Sequence, residues 1–362
     1  MTIDNQTRRR TTNTGLTALD RDRACPGYVL YSPMNGPGDV YLLNLDGDVV
    51  HHWDMAVPPG LYGYLLPNGN LFYGGKVRDE MWDRFPAWKR FKGGVMMEVD
   101  WQGNKVWEHR DMDHHHDARR TSSGGAIYLT VERMPDSLTA KVRGGAQGTG
   151  GDGMWADVIV EVDASGKRIW EWHALEHLDP ERDIVNVNDH RDEWSHGNTV
   201  APVSDDRVLF SFRNISTVGI IDKGSGEIIW SLGGDVLAQQ HDPSMLPNGN
   251  VLIFDNGSHR RDNPLPFSRV VEVDPGTNTI VWEYQDSPAY NFFSPYISGA
   301  RRLPNGNTLV TEGMFGRMFQ VTTEGDVVWE YINPHFHVDA ENLLANRVFR
   351  ATHYLPEEVP LI

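Results

Sequence analysis

A hairpin motif recurs six times along the chain, and this repetition constrains the fold more than any other feature of the sequence. Each copy alternates apolar and polar residues, turns at Gly, Asp or Asn, and then places Val or Ile before an aromatic residue. The aromatic positions are His51, Trp107, Trp170, Trp230, Trp282 and Trp329. Alternation with a period of two on either side of such turns is typical of β-hairpins.

A second motif lies between the copies of the first. Its clearest examples are LLPNGNLFY from Leu65, MLPNGNVLIF from Met245 and RLPNGNTLVT from Arg302, with weaker copies from Arg120 and Ala201. The Asn-Gly pair favours the positive φ angles of a two-residue hairpin turn. Each repeat therefore predicts two hairpins, which make four antiparallel strands. Repeated six times, this unit predicts an all-β fold, a six-bladed β-propeller.

The two ends of the repeat region indicate how the ring closes. Residues 28–31 look like a second strand without a first, and residues 348–354 look like a first strand without a second. Pairing between them would complete one blade and leave no sheet edge open. We expect a single propeller domain over residues 25–362, preceded by a disordered segment over residues 1–24.

Charge and composition exclude several classes of partner. The 362 residues include 50 acidic and 33 basic ones, for a net charge of −17, and no basic stripe is present. Nucleic acids and anionic membranes bind through clustered Lys and Arg, so neither is an expected partner. Cys25 is the only cysteine, which excludes an intrachain disulfide. No apolar run has the length of a signal peptide or a membrane span, and we expect a cytoplasmic protein.

Long insertions fall on one rim of the predicted propeller, and the tight turns fall on the other. The insertions cover roughly residues 75–93, 132–154, 173–195, 257–267 and 332–346. Long loops on one face of a rigid scaffold commonly carry a functional site. The sequence therefore predicts a site on this rim, where the central channel opens.

Histidines occupy the same repeat position in three successive blades. When the repeats are aligned on the turn motif, the innermost strand starts at His116, His196 and His241 in these blades. The equivalent residues of the other blades are Leu61, Ser298 and Arg350. One histidine at this position could merely cap its own blade. Three equivalent histidines predict a shared site at the channel mouth.

Further polar residues end or begin strands on the same rim. They are Arg213, Asp255, Asn256, Arg269 and Glu312. An arginine beside histidines suggests a substrate with an oxyanion, because the guanidinium fork matches carboxylate, phosphate or sulfate oxygens. We predict that Arg269, Asn256, Asp255 and Glu312 bind substrate. The alternative for an arginine here is a structural ion pair with Asp255 or Glu312.

Two other aromatic patterns have structural interpretations. In the run His114–His116 only alternate residues of a strand face one side, so at most His114 and His116 can cooperate. The aligned tryptophans are expected to pack between blades. Neither pattern adds a further residue to the predicted site.

Three segments resemble the bacterial arylsulfate sulfotransferase family. They are SHGNTVAPVSDDRVLFSFRN at 195–214, HDPSMLPNGNVLIFDNG at 241–257 and SGARRLPNGNTLVTEG at 298–313. The resemblance implies a six-bladed propeller that moves a sulfuryl group between phenols without a nucleotide donor or another cofactor, through a transiently sulfated histidine. It implies that His241 is the nucleophile, assisted by His116, His196 and Arg213. The substrate would be a small aromatic molecule.

Two other functions fit the same residues. His116, His196 and His241 could hold Zn²⁺, Fe²⁺, Mn²⁺ or Cu²⁺ with positions open for water or substrate, as in a metal-dependent hydrolase, lyase or oxygenase. Asp255 or Glu312 would then be a fourth ligand or a base. Alternatively, the propeller could bind a partner protein with its rim loops and catalyse no reaction.

Overall fold

Six antiparallel sheets follow one another along the chain and form the blades of a propeller. The structure, a computed structural model, describes residues 13–80, 82–147, 153–260, 262–339, 342–359 and 361–362. In each blade the strands run outward from the axis, and their order in the sheet follows the hairpins that the repeats predict. The prediction of an all-β, six-bladed propeller is confirmed.

Blades 1 and 2 contain the first repeats of the chain together with its C-terminal strand. Blade 1 consists of β2 (Tyr28–Pro33), β3 (Asp39–Leu43), β4 (Val49–Asp54) and the innermost strand β29 (Val348–Tyr354). Blade 2 consists of β5 (Pro59–Leu65), β6 (Leu71–Lys76), β7 (Gly94–Val99) and β8 (Lys105–Arg110).

Blades 3 and 4 carry two of the aligned histidines near the starts of their innermost strands. Blade 3 consists of β9 (His115–Arg120), β10 (Ala126–Arg133), β12 (Trp155–Val162) and β13 (Arg168–His173). Blade 4 consists of β15 (Gly197–Ser204), β16 (Arg207–Phe212), β17 (Thr217–Asp222) and β18 (Ile228–Leu232).

Blades 5 and 6 complete the ring. Blade 5 consists of β19 (His241–Met245), β20 (Val251–Asp255), β21 (Arg269–Asp274) and β22 (Thr279–Tyr284). Blade 6 consists of β23 (Gly299–Arg302), β24 (Thr308–Glu312), β25 (Arg317–Val321), β26 (Val327–Ile332) and an added outer strand, β1 (Gly15–Leu19).

Short elements lie in the insertions between strands. Two small sheets pair β11 (Gly144–Ala146) with β14 (Val185–His190) and β27 (His337–Val338) with β28 (Leu344–Ala345). The α-helical turns are α1 (Trp88–Phe91), α2 (Asp136–Thr139) and α3 (Ala174–His177), and 3₁₀ turns occur at Ala289–Asn291, Gly313–Phe315 and Pro356–Glu358. In the described part of the chain no helix is long and apolar enough to cross a membrane.

The C-terminal strand closes the ring as the sequence predicts. β29 pairs with β2 in antiparallel register, with Tyr354 opposite Tyr28 and Thr352 opposite Leu30. The two ends of the repeat region therefore share one blade. Opening the ring would break this ladder and expose two strand edges.

The N-terminal segment differs in part from the expectation of disorder over residues 1–24. Strand β1 pairs with β26, with Gly15 opposite Ile332 and Leu19 opposite Trp329, and Ala24 is buried. The strand covers the outer edge of blade 6, which would otherwise present unpaired backbone groups. Its partner is distant in sequence, so no local pattern marks the pairing. Residues 1–12 lie outside the described residues.

The aligned aromatic residues join each blade to the next, as expected for packing positions. The ring nitrogen of each contacts an acceptor in the outer turn of the following blade, mostly a backbone carbonyl. The pairs are His51–Trp101, Trp107–Ala164, Trp170–Lys223, Trp230–Asn278, Trp282–Thr323 and Trp329–Leu45, at 2.7–3.1 Å. His51 thus does what tryptophan does in the other repeats. These contacts link each blade to the next around the whole ring.

The axis is occupied by a buried arginine from the closing strand. Arg350 donates from Nη1 to Tyr62 Oη (2.9 Å) and Asp117 Oδ2 (3.0 Å), and from Nη2 to Thr199 Oγ1 (2.8 Å). Its Nε lies 2.7 Å from Asp242 Oδ1. One side chain of blade 1 therefore contacts blades 2, 3, 4 and 5 directly.

Blade 6 joins the same network through Asp242. Arg301 donates to both carboxylate oxygens of Asp242, with Nη1–Oδ2 at 2.5 Å and Nη2–Oδ1 at 2.6 Å. Asp117 also accepts from the backbone N–H of Val200, at 3.1 Å. Arg119 Nε also lies 3.4 Å from Asp117 Oδ1, so three arginines surround the two carboxylates, and pairing of this kind is what buried ions require.

We expect Arg350→Met to lower the free energy of unfolding by about 3–5 kcal/mol, because it leaves two buried carboxylates without their shared cation. Chemical denaturation followed by tryptophan fluorescence measures the loss. Arg182→Ala is the control, since Arg182 forms an exposed ion pair with Asp179, and it should leave the unfolding midpoint unchanged. Equal unfolding midpoints for the Arg350→Met protein and the wild type would contradict this stabilising role of Arg350.

Candidate active site at the propeller axis

A cavity of about 860 Å³ opens on the rim that carries the long insertions. Residues at or beside the starts of the innermost strands line its base, with one from each blade. They are Phe349, Leu61, His116, His196, His241 and Ile297. Because all six blades contribute, the cavity lies on the propeller axis, above the Arg350 network. His116, His196 and His241, which the repeat alignment places at one position, all line this cavity.

Loops on the same rim build the cavity walls. The lining includes residues from 76–91, 188–193 and 337–339, which belong to three of the five predicted insertions. It also includes residues 34–37 and 58–59, between strands of blade 1 and blade 2. The insertions at 132–154 and 257–267 contribute no lining residue among those described.

Backbone irregularities turn the histidines into this cavity. His116 and His196 adopt left-handed φ angles of +50° and +52°, and so does Asp242, next to His241, at +53°. The register of the innermost strand shifts at each site, as in β9 and β19. Residues with side chains pay a steric cost in this region, and bulges of this kind are concentrated next to active sites.

Asn256 determines the tautomer of His241. The Nδ2 of Asn256 donates to the backbone carbonyls of Ser294 (2.7 Å) and Ile297 (2.9 Å), which fixes the orientation of the amide. Its Oδ1 therefore faces His241 Nδ1 at 2.8 Å and must accept a hydrogen from it. The proton of the neutral ring is then on Nδ1, and Nε2 of His241 carries a lone pair.

A carboxylate supports His196 in the corresponding way. Glu193 Oε2 lies 2.8 Å from His196 Nδ1 and accepts its hydrogen. Unlike the amide of Asn256, this partner can balance a positive charge on the ring. Glu193 lies in the insertion before β15, and the sequence analysis did not identify it because no local motif connects it to the histidine.

His115 supports His116, which corrects the expectation that only His114 and His116 could cooperate. Nδ1 of His115 lies 2.8 Å from Nδ1 of His116, and the two rings meet edge to face with centroids 5.0 Å apart. Strict alternation would have placed the rings on opposite faces. The left-handed residue breaks the alternation, so adjacent side chains meet.

Burial and nearby positive charge keep two of the cavity histidines neutral. Burial holds the pKa of His241 well below its ordinary value, and the Arg213 guanidinium adds to the shift. Burial also holds the pKa of His116 well below the ordinary value, with contributions from His196 and Arg350. Rings in this state have a lone pair available for a substrate or a proton.

Arg213 lines the same cavity, as the resemblance implies. Its Nη1 donates to Asp189 Oδ1 (2.8 Å) and Asn214 Oδ1 (3.2 Å). Asp189 also accepts from Gln239 Nε2. The guanidinium is held at Nη1, and its positive charge is close enough to His241 to lower the pKa of that ring. It is therefore positioned to bind an oxyanion beside His241.

Three of the residues predicted to bind substrate have structural contacts instead. Arg269 pairs with Asp255 (2.8 Å) and Glu283 (2.9 Å), and Asp255 also accepts from Arg260 (3.0 Å). Glu312 pairs with Arg317 at 3.1 Å. None of Arg269, Asp255 and Glu312 lines the cavity. The strand ends were placed on the correct rim, but these side chains bind neighbouring strands within blades 5 and 6. Asn256, the fourth residue, supports His241 rather than lining the cavity.

Aromatic rings surround the histidines. Phe91 stacks on His116 with centroids 4.4 Å apart and meets His196 edge-on at 4.8 Å. Phe349 lies with its centroid 6.3 Å from both His116 and His241. Trp82 and Tyr296 also line the cavity. An aromatic ligand would find stacking partners beside the polar groups.

The geometry does not favour the predicted metal site at His116, His196 and His241. Within the described ranges no group of three or more His, Cys, Asp or Glu side chains is arranged to hold a metal ion. His116 and His196 contact each other edge to face, with ring centroids 4.7 Å apart. The rings share a cavity without converging on one point.

The fold and the cavity together define a class of protein: a six-bladed β-propeller whose axial cavity combines histidines, an arginine and aromatic rings. The chain belongs to the arylsulfotransferase (ASST) family, whose sequence profile matches residues 88–334. This match confirms the resemblance that the motifs carry, and it includes the segments with His116, His196, His241 and Arg213.

Two known proteins illustrate the similarity. The arylsulfate sulfotransferase AssT of Escherichia coli O6:H1 is 26% identical in an alignment that covers 46% of this chain and 40% of that protein. The chain thus aligns with less than half of that relative. A crystal structure of a protein of unknown function from Bacteroides caccae superposes with a TM-score of 0.55 at 13% identity, over 91% of this chain and 99% of that one. At this identity the superposition supports the fold alone.

At about pH 6, where an ordinary histidine is largely protonated, we expect His241 to stay neutral with its proton on Nδ1. Burial and Arg213 disfavour the charged ring, and Asn256 selects the tautomer. Ring-nitrogen NMR of histidine-labelled protein checks this, with His241→Gln to assign the signal and free imidazole as the internal reference. Asn256→Leu should yield a mixture of tautomers. A doubly protonated His241 at this pH would contradict the assignment.

Proposed function

We propose that this protein transfers a sulfuryl group from an aryl sulfate to a phenol, with Nε2 of His241 as the nucleophile. The observation that carries the proposal is the pair of hydrogen bonds that fixes Asn256, since it leaves the lone pair of a neutral His241 beside Arg213. Membership of the arylsulfotransferase family supports the reaction class.

In the first step the lone pair of His241 Nε2 attacks the sulfur of the aryl sulfate. A nitrogen–sulfur bond forms, the bond between sulfur and the phenolic oxygen breaks, and the electron pair leaves on that oxygen. The departing phenolate takes a proton from a protonated histidine or from water. The ring of His241 keeps its hydrogen on Nδ1, which donates to Asn256 Oδ1 throughout. Imidazole is a competent nucleophile when its tautomer is fixed in this way.

Arg213 and His196 are placed to bind the sulfuryl oxygens. The guanidinium of Arg213 is held by Asp189 at Nη1 and keeps further N–H groups for an oxyanion. Glu193 accepts from His196 Nδ1, and the carboxylate balances the ring whenever His196 donates from Nε2 to a sulfuryl oxygen. Such donors stabilise charge that develops on the transferred group, and each is worth several kcal/mol in a water-excluded site, on the order of 3 kcal/mol for one donor.

Each cavity histidine has a different hydrogen-bond partner, and the partners suit the three histidines to different steps of the reaction. Asn256 is neutral and stabilises the positive charge of a sulfated His241 weakly, so the intermediate remains reactive toward an acceptor. Glu193 is a carboxylate and suits a ring that carries a proton. Burial keeps His116 neutral, which suits a ring that accepts the proton of the incoming phenol.

The aromatic lining accounts for the substrate class. Phe91 and Phe349 lie against the histidine rings, and Trp82 and Tyr296 contribute further aromatic surface. A phenyl ring bound among them would present its ester oxygen to the histidines. The second step is the reverse of the first, with a different phenol as the attacking oxygen, and needs no nucleotide donor.

We expect His241→Ala to abolish transfer from a nitrophenyl sulfate to phenol while the unfolding midpoint stays near that of the wild type. A sulfated peptide containing His241 should be detected by mass spectrometry in wild-type protein quenched with donor alone. His190→Ala is the matched control, since His190 lines the cavity but bonds the backbone carbonyl of Gln147. Full turnover by His241→Ala would exclude His241 as the nucleophile.

Arg213→Gln should lower kcat/KM for the donor by about 10²–10³-fold, because a donor to the developing oxyanion is lost. Steady-state kinetics with varied donor concentration measure the effect. We expect Arg269→Gln to serve as the control, since Arg269 contacts Asp255 and Glu283 away from the cavity. If both variants lost activity equally, the cavity arginine would have no special role.

A further inference from the structure

Behind His116, a second histidine and a carboxylate form a line that leads away from the cavity. His116 Nδ1 lies 2.8 Å from His115 Nδ1, and His115 Nε2 lies 3.2 Å from Asp157 Oδ1 and 3.3 Å from the carbonyl oxygen of Thr130. The side chains of His115 and Asp157 are 0% and 2% exposed. The order from the cavity inward is His116, His115, Asp157.

The acceptors at the inner end determine where each proton lies. The Asp157 carboxylate and the Thr130 carbonyl can only accept, so His115 donates from Nε2 and carries a lone pair on Nδ1. That lone pair accepts the hydrogen of His116 Nδ1, and Nε2 of His116 is left unprotonated. This row of three side chains can therefore take up one proton at Nε2 of His116, which faces the cavity.

Further hydrogen bonds hold Asp157 in place. The backbone N–H of Gly197 donates to both of its oxygens, at 2.9 Å each, and Ser195 Oγ donates at 2.5 Å. Burial acts to raise the pKa of Asp157, but its hydrogen bond with His115 and those with Ser195 and Gly197 hold the pKa below its ordinary value. Ser195 and Gly197 flank His196, so the carboxylate is tied to the strand of another cavity histidine.

The surroundings make Asp157 the place where positive charge is stabilised. Charged and titratable groups near the two rings include His114, His196, His241, Arg350 and Asp157, together with Asp117, whose carboxylate accepts from Arg350 and Tyr62. Of the two carboxylates, Asp157 is the one in contact with His115. Trp88 and Phe91 pack on His115 with ring centroids 5.7 and 6.0 Å away and exclude water. A proton that reaches His115 is therefore in contact with a carboxylate.

We propose that His115 and Asp157 form a proton relay that makes His116 the general base for the acceptor phenol. This inference rests on the sulfuryl transfer proposed above. His116 would exchange the proton with substrate, whereas His115 and Asp157 act through it as positioning and charge-balancing residues. The relay adds to the proposed function, because it assigns the deprotonation of the acceptor phenol to His116, His115 and Asp157.

In the relayed step the phenol oxygen forms a bond to sulfur while the bond from sulfur to His241 Nε2 breaks, and its electron pair returns to that nitrogen. The phenol proton moves to His116 Nε2. The hydrogen on His116 Nδ1 moves to His115 Nδ1, so His115 becomes the cation beside the Asp157 anion. In the next cycle the same proton returns through His116 to the departing phenolate, and no other reactant is needed.

The test measures transfer from sulfated protein to a series of phenols of decreasing acidity, in single turnovers at neutral pH. Asp157→Asn removes the charge of the relay. His115→Asn keeps an oxygen that can accept the Nδ1 hydrogen bond of His116, but this oxygen cannot take up the proton. His115→Phe removes both the hydrogen-bond acceptor and the proton-accepting group. Asp39→Asn is the matched control, because Asp39 forms a similar pair with His52 at 2.7 Å on the outer strands of blade 1.

For a phenol with a pKa of about 10, we expect Asp157→Asn and His115→Asn to slow transfer by about 10–100-fold. For a phenol that is already ionised at the assay pH, both should transfer at a rate close to that of the wild type, because no proton must be removed. His115→Phe should also slow the ionised phenol, since the position of His116 is lost. Asp39→Asn should behave as wild type with every acceptor.

An equal loss for all phenols in Asp157→Asn and His115→Asn, with unfolding midpoints near that of the wild type, would overturn the relay and leave the two residues a structural role. Unchanged rates in both variants would overturn it as well. If the wild type itself transfers no sulfuryl group to any phenol, the proposed function fails instead. Measuring the sulfated His241 before acceptor is added separates these two failures.

Discussion

The ion network around Arg350 is the constraint on which the rest of this structure depends. The arginine comes from the strand that closes the ring, and it binds Asp117 and Asp242, which directly follow His116 and His241. The same contacts that lock the closing strand therefore set the backbone of two cavity histidines. Phe349, the residue before the arginine, forms part of the cavity base. Ring closure and the geometry of the site therefore depend on the same contacts.

The cavity histidines differ chiefly in what lies behind them. An amide faces His241, a carboxylate faces His196, and a second histidine with its own carboxylate stands behind His116. Identical side chains at equivalent repeat positions thus have different hydrogen-bond partners, and those partners do not repeat. A symmetric scaffold supplies the placement, and asymmetric partners supply the chemistry. This is how repeats of one hairpin unit can produce a site with separate roles.

Much of this arrangement could be predicted from the chain. The period-two pattern and the Asn-Gly turns specified the blades, the unmatched strands at 28–31 and 348–354 specified ring closure, and the repeat alignment placed three histidines on one rim. The pairing of His115 with His116 was missed, because a left-handed residue at the bulge breaks the alternation on which the argument relied. The strand β1 was missed because its partner is far away in sequence.

What the sequence by itself determined was periodic: blade number, ring closure and the shared position of His116, His196 and His241. Periodicity is local, since it follows from how successive side chains alternate along a strand. Only the tertiary structure decided which polar side chains meet. It paired Arg213 with Asp189 and Arg269 with Asp255, and it set Asn256, Glu193 and Asp157 behind the histidines. These contacts depend on how neighbouring strands and the loops between them bring particular side chains together, and the repeat pattern does not encode that geometry.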